Sequence, residues 1–254
     1  MQCDEAGLLY NRYSKAEINQ KTHPGDVMYR TGANWYWSSG RSALQVISSV
    51  LAFSWITQVR RVLDLPCGHG RVTRHLRAAF PEAELYCCDI DGEGAAFCAA
   101  EFKGVAIESQ PDLTRVPLPG DLDLIWVGSL FTHLDQPRTA SWLAYLVEHL
   151  RPHGIIVATF HGLFLPDMVS RAPDLDGASL TKINKGFTTS GWGYDTYRGS
   201  ADYGFSRSHP ATVMRMATEI PQTRVIAFIE RGWCYHQDVL ALAKQDRLEQ
   251  FRSG

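Results

Sequence analysis

The chain has 254 residues, 45% of them hydrophobic and 20% charged. That is the make-up of a globular chain with a sizeable core, and it excludes wholesale disorder, a fibrous repeat and a stapled mini-protein. Lysine and arginine number 25 against 27 for aspartate and glutamate, a formal net charge of -2, so the broad basic surface of a protein that grips nucleic acid by its phosphates is missing. The longest apolar stretch, around Val46 to Ile56, is broken by serines and falls short of the roughly 20 residues that span a bilayer.

The first residues carry acids where a secretory leader carries bases, so the sequence reads as cytoplasmic, with no membrane partner. Cys3, Cys67, Cys87, Cys88, Cys98 and Cys234 include no C-x-x-C pair and read as small core residues of a reducing compartment.

Residues 1–59 read as an N-terminal cap and first helix. The segment turns aromatic at Trp35-Tyr36-Trp37, and a helix capped by Ser38 or Ser39 follows, with Leu44, Ile47, Val50 and Leu51 on one face. From 60 onward, short apolar runs alternate with amphipathic stretches. Strands are predicted at Arg61–Leu65, Glu84–Cys88, Val105–Ile107, Leu122–Val127 and Ile155–Phe160. Between them lie helices at Gly70–Phe80, Gly92–Phe102 and Pro137–Leu150, the last ended by Pro152-His153-Gly154. Residues 162–205 lose this regularity, crowd glycines with aromatics and read as a lid insertion in a core that runs from 60 to 254. A helix at Pro210–Glu219 then precedes strands at Arg224–Glu230 and Trp233–Leu242, joined antiparallel at Arg231-Gly232. The expected fold is α/β: a mostly parallel seven-stranded sheet with an antiparallel final pair, helices on both faces, and a ligand site at the carboxyl ends of the strands.

Two motifs carry the ligand chemistry. In Asp64-Leu65-Pro66-Cys67-Gly68-His69-Gly70 a strand runs into a glycine turn and a helix. Gly68 and Gly70 let backbone approach a ligand closely, and the helix start offers free N–H groups. The dinucleotide fingerprint wants a third glycine where Thr73 stands and no acid where Asp64 stands. Asp64 suits a ligand ammonium group or loop amides instead. About 20 residues further on, Asp89 tips the second strand, where a carboxylate accepts from both ribose hydroxyls, and Ile90 follows to pack on adenine.

Together these residues resemble class I S-adenosylmethionine-dependent methyltransferases, whose first motif reads D-x-G-C-G-x-G and whose second strand ends in D-I-D or D-I-S. The resemblance extends through Asp123-Leu124-Ile125, Ser129-Leu130-Phe131-Thr132-His133-Leu134 and Leu150-Arg151-Pro152-His153-Gly154. Pro66 departs from the glycine usual at its position. The resemblance implies a Rossmann-like fold, S-adenosyl-L-methionine as donor and S-adenosyl-L-homocysteine as product. Asp64, Pro66, Gly68, Gly70, Asp89, Ile90 and Ser129 are then at the cofactor, with Arg41 on its carboxylate or, equally, a helix-surface charge. A narrower resemblance, in Thr159-Phe160-His161-Gly162, Tyr203-Gly204-Phe205 and His236-Gln237-Asp238-Val239, is to bacterial methyltransferases of polysaccharide and glycan modification, and implies a hydroxyl acceptor on a sugar or polar metabolite.

Methylating a hydroxyl requires a base near neutral pH, which points to histidine. His133, His161 and His236 are the candidates, His133 first because it follows the fourth strand; a histidine at a strand end also serves as hydrogen-bonded scaffold. His69 reads as shaping the glycine turn, and His75, His149 and His153 as helix-surface or cap residues. Trp192, Tyr194, Tyr197 and Tyr203 either bind the acceptor, some facing the sulfonium through cation–π attraction, or anchor the loop on the core. Asp135 and Asp238 could join the histidines at a divalent metal, but Asp135 before Pro137 reads better as a helix cap, and no metal is assigned. The competing readings are N-methylation of a small amine, a cofactor-binding module without transfer, and, behind these, an NAD-dependent oxidoreductase. The absence of [DN]-P-P-[YF] after the fourth strand disfavours nucleic-acid amines.

Overall fold

A computed structural model describes residues 13–54, 56, 58–164 and 175–246. Cys3, the leader reading of the first residues and part of the lid reading, residues 165–174, lie outside the described residues.

Ahead of the sheet, the described residues include the helices α1 (Val27–Thr31) and α2 (Ala33–Phe53). The α/β core follows as β1 (Arg61–Leu65), α3 (Thr73–Ala79), β2 (Glu84–Asp89), α4 (Gly92–Phe102), β3 (Val105–Glu108), β4 (Leu122–Val127), α5 (Gln136–Glu148) and β5 (Leu150–Phe160). After it come α6 (Gly177–Ser190), β6 (Trp192–Thr196), β7 (Gly204–Ser208), α7 (Pro210–Glu219), β8 (Thr223–Trp233) and β9 (Gln237–Lys244). Seven strands form one sheet in the order β3-β2-β1-β4-β5-β9-β8. The pairs from β3 to β5 are parallel, and β9 runs antiparallel to both β5 and β8. This is the expected Rossmann-like methyltransferase sheet. Its order reverses between β1 and β4, the point at which such sheets open a ligand crevice.

Alternation along the strands divides the core in two. Val62, Leu85, Cys87, Leu124, Trp126, Ile155 and Val157 pack with Leu44, Ile47 and Val50 of α2 and with Leu76 and Phe102. Leu63, Cys88, Ile125, Val127, Ile156 and Ala158 pack with Leu143, Leu146 and Val147 of α5 and Val213 and Met216 of α7. Side chains at i and i+2 share a face of a strand, which is why neighbours in sequence enter opposite layers.

Several boundaries correct the sequence reading. The α2 helix begins at Ala33 rather than after Ser38 or Ser39, whose hydroxyls donate back to the carbonyls of Trp35 (3.0 Å) and Tyr36 (2.9 Å). A serine inside a helix satisfies its hydroxyl in this way without capping anything. Strand β5 starts at Leu150, so Pro152 and Gly154 lie in the strand and not in a helix terminator. The region read as irregular holds α6 and an antiparallel hairpin of β6 and β7. The β8–β9 turn falls at Cys234 to His236 instead of Arg231-Gly232, with Cys234 and Tyr235 at φ of 55° and 62°. Among the described residues, no helix is long and apolar enough to cross a membrane.

Candidate active site

The first wall of the crevice is the turn after β1. Asp64 is 1% exposed; its Oδ2 accepts from the Thr73 hydroxyl at 2.6 Å, while its Oδ1 is buried without a hydrogen-bond partner among the described residues. Burial pushes the Asp64 carboxyl up to about 8, against the opposing pull of Thr73 and the more distant Arg71. The Asp89 carboxylate braces the turn: Oδ2 accepts from the Gly68 amide at 2.7 Å and Oδ1 from the Asp91 amide at 2.9 Å. A carboxylate offers about four acceptor positions, so Asp89 retains capacity for two hydroxyls. Burial raises its pKa as well.

The Leu65–Pro66 peptide is cis, and Gly68 and Gly70 have φ of 51° and 88°. A Cβ on Gly68 would meet nothing within 4 Å, so the turn presents an open face there. A Cβ on Gly70 would lie 2.3 Å from the buried Phe102 ring. Gly70→Ala combines a left-handed φ with that overlap and is expected to lower stability by about 1–3 kcal/mol. At about 2–4 °C per kcal/mol for a chain of this size, a thermal melt followed by circular dichroism reads the effect directly. Ile90, at 63% exposure, stands on the rim beyond Asp89, free to meet a planar base.

The second wall joins the ends of β4, β5 and β9. Ser129 has φ of 61°, a left-handed backbone conformation that costs a non-glycine residue free energy unless its surroundings enforce it. They do. Its amide donates to Thr159 Oγ1 (2.7 Å), the Thr159 hydroxyl donates to Gln237 Oε1 (2.6 Å), and Gln237 Nε2 donates to Ser129 Oγ (3.0 Å).

Three histidines stand beyond these strand ends. His133 Nδ1 lies 2.8 Å from the Gly204 carbonyl, with the Tyr197 hydroxyl at 3.1 Å and the Tyr203 ring stacked at 4.7 Å. His161 Nδ1 lies 3.2 Å from the Ser206 carbonyl and stacks on Phe205 at 4.5 Å. His236 Nδ1 lies 3.1 Å from the Cys234 carbonyl, its ring 6.5 Å from that of His161. A carbonyl only accepts, so each Nδ1 carries the proton and each Nε2 keeps its lone pair. The carbonyls of Gly204 and Ser206, two residues apart on β7, fix both His133 and His161. Burial lowers the pKa of all three imidazoles, that of His161 to about 3. They are therefore neutral at pH 7.

The remaining expected residues divide. Tyr197 and Tyr203 reach His133, whereas Trp192, 6% exposed, packs edge-on against Phe160 in the core, the position of the anchoring alternative. The Tyr194 hydroxyl donates to the Asp202 carbonyl (2.8 Å) and accepts from Arg138 Nη2 (3.0 Å), which ties the hairpin to α5. Arg41 lines a cavity with Tyr13, Glu17, Trp37 and Gln45. Sequence reasoning passed over Arg71, whose guanidinium lies 5.2 Å from the Trp233 ring and whose charge acts on both Asp64 and His236. The one signal for it was its place directly after Gly70.

His75 is buried rather than on a helix surface, bonded through Nδ1 to Tyr13. His69 stacks on His23 at 4.8 Å beside the turn. Asp135 caps α5, accepting from the Arg138 amide at 2.9 Å. Asp238 accepts from the Arg231 amide at 2.8 Å and packs its other oxygen under Gly162. Among the described residues, no group of three or more His, Cys, Asp or Glu is placed to hold a metal ion.

Residues 62–154 match the family model of a methyltransferase domain. A malonyl-[acyl-carrier protein] O-methyltransferase of Hahella chejuensis is 30% identical over 100 residues, which are 39% of this chain and 35% of that protein, so the chain spans about a third of this curated relative. Among solved structures, an S-adenosylmethionine-dependent methyltransferase from Clostridium acetobutylicum aligns with a TM-score of 0.55 at 11% identity, over 87% of this chain and 96% of its own. DesVI of Streptomyces venezuelae aligns at 0.57 and 14% identity, over 89% and 100%. CalS10 of Micromonospora echinaspora, an amino pentose methyltransferase solved with S-adenosylmethionine bound, aligns at 0.54 and 16% identity, over 90% and 100%. The sheet order and these likenesses establish the Rossmann-like methyltransferase fold.

Proposed function

We propose that this chain transfers a methyl group from S-adenosylmethionine to a hydroxyl of a sugar, a glycan or another polar small molecule, with a histidine as general base. The observation that carries the reading is the set of neutral imidazoles whose Nδ1 atoms are held by backbone carbonyls, leaving Nε2 as base beside the crevice. S-adenosylmethionine supplies an electrophilic methyl on its sulfonium. Every other requirement falls to the chain: orient the nucleophile in line, exclude water and take its proton.

The residues fit such a donor. The free capacity of Asp89 suits two ribose hydroxyls, Ile90 suits the face of adenine, and the unpaired Oδ1 of Asp64 suits an α-ammonium group. His133 receives the acceptor proton at Nε2, with Tyr197 and Tyr203 framing the acceptor. The narrower likeness of Thr159-Phe160-His161-Gly162 and His236-Gln237-Asp238-Val239 to glycan-modifying enzymes supports a sugar-like acceptor. Amine methylation, by contrast, predicts little dependence on these imidazoles. The test is transfer of labelled methyl from S-adenosylmethionine to sugar and small-metabolite hydroxyls by wild type and His133→Ala; label found on amines and insensitive to the substitution contradicts the proposal.

Asp64 yields a pH prediction. With a pKa near 8 in the free protein the carboxyl is mostly protonated at pH 7, and an arriving ammonium group favours the carboxylate, so binding expels a proton. S-adenosylhomocysteine affinity should therefore rise with pH up to about 8, by at most about tenfold per unit. Calorimetry in buffers of different ionisation enthalpy should show close to one proton released at pH 7, and none with Asp64→Asn. Equal apparent enthalpies in all buffers for wild type would remove the ammonium role of Asp64.

A further inference from the structure

Arg71, directly after Gly70, is a cation that the function above leaves unused. Burial lowers its pKa, and the carboxyls of Asp26 and Asp64, from separate stretches of chain, act against that shift. Its guanidinium approaches Trp233 at 5.2 Å, yet among the described residues no hydrogen bond or ion pair engages its nitrogens. Desolvating a guanidinium is costly unless its planar fork finds acceptors, and the ligand shape that fits the fork best is a carboxylate taken bidentately. The carboxyl groups already near it do not fill that role: neither Asp26 nor Asp64 forms an ion pair with it, and each has one buried oxygen without a hydrogen-bond partner among the described residues.

We infer that Arg71 receives the α-carboxylate of the methyl donor, opposite the unpaired oxygen of Asp64 that takes its α-ammonium. A free α-amino acid end carries both charges on one carbon, so its recognition needs an acid and a guanidinium facing one small space. Asp64, at the end of β1, and Arg71, two residues before α3, flank one turn, and each acts on the other electrostatically. This assignment rests on the donor site proposed above and names the residue that selects the donor's amino acid end.

Calorimetry with two probes tests it: S-adenosylhomocysteine, and 5′-deoxy-5′-methylthioadenosine, which keeps the adenosine and the sulfur but lacks the amino acid end. Arg71→Gln should weaken S-adenosylhomocysteine binding about 30-fold or more and change methylthioadenosine binding less than about threefold. Arg41→Gln should leave both within that margin. Arg71→Lys keeps the charge, loses the fork and should give an intermediate loss confined to S-adenosylhomocysteine, which keeps the test open if the glutamine variant melts below the assay temperature. A loss shared equally by both probes would make Arg71 a structural counter-ion, and unchanged S-adenosylhomocysteine binding would equally overturn the assignment. Failure of the donor site itself looks different, since wild type would then bind neither probe.

Discussion

With alanine in place of His133 or His161, S-adenosylhomocysteine affinity is expected to stay within about threefold of wild type, while at least one of the two variants turns over about 100-fold or more slowly. That is the scale of a lost general base. The separation of binding from turnover follows from placement: both rings are held by β7 carbonyls, at 2.8 Å and 3.2 Å, whereas the proposed donor contacts are at Asp64, Gly68 and Asp89. Of the two, His133 follows β4, the strand that pairs with β1 at the sheet's reversal, and His161 follows β5, one strand further out. The pH profile should agree. An imidazole with a lowered pKa stays deprotonated below the ordinary histidine value, so kcat/KM for the acceptor, measured with the methyl donor saturating so that Asp64 does not enter, should hold its plateau down to about pH 6.5 and fall only at more acid pH. Wild-type rates in both variants would sink the assignment of a histidine base to these positions.

Replacing Asp89 with alanine should lower S-adenosylhomocysteine affinity about 100-fold or more, a cost of about 2.8 kcal/mol at 1.4 kcal/mol per decade. Two losses add. The ribose hydroxyls lose a charged acceptor, and the Gly68 and Asp91 amides, held at 2.7 Å and 2.9 Å, lose the group that sets the turn. Hydrogen bonds to a charged group contribute about 1.5–3 kcal/mol each, so losing the ribose contacts alone accounts for the expected drop. Asp89→Asn, which retains an acceptor oxygen, should fall between wild type and alanine. Equal affinities in wild type and Asp89→Ala would place the nucleoside elsewhere.

The elements that the sequence predicted most sharply are short apolar runs and helices that open on glycine or proline. Strands Arg61–Leu65 and Leu122–Val127 and helices Gly92–Phe102 and Pro210–Glu219 fall where the pattern put them. Errors arose where one residue type has two uses. Ser38 and Ser39 are cap residues by composition, but helix-interior back-donors here. Pro152 and Gly154 punctuate helices in general, but in this chain they sit near the start of an eleven-residue strand. The β6–β7 hairpin was hidden because the two strands are separated by a long glycine-containing turn rather than a two-residue signal. At the candidate site, the glycine turn, Asp64 and Asp89 were legible because they lie in contiguous motifs. The carbonyls that orient the histidines were not, because Gly204 and Ser206 act through backbone groups far along the chain. Arg71 was missed for the same reason: its surroundings, from Asp26 to Cys234, assemble only in the folded chain.

The most direct test of the account is calorimetric titration of wild-type protein with S-adenosylhomocysteine and, separately, with NAD. Micromolar affinity for the former and no binding of the latter is the predicted result, since Asp64 and Thr73 occupy positions that a pyrophosphate site would fill differently. Binding of NAD alone, or of neither ligand, would contradict the methyltransferase reading at its root and leave the glycine turn to another ligand.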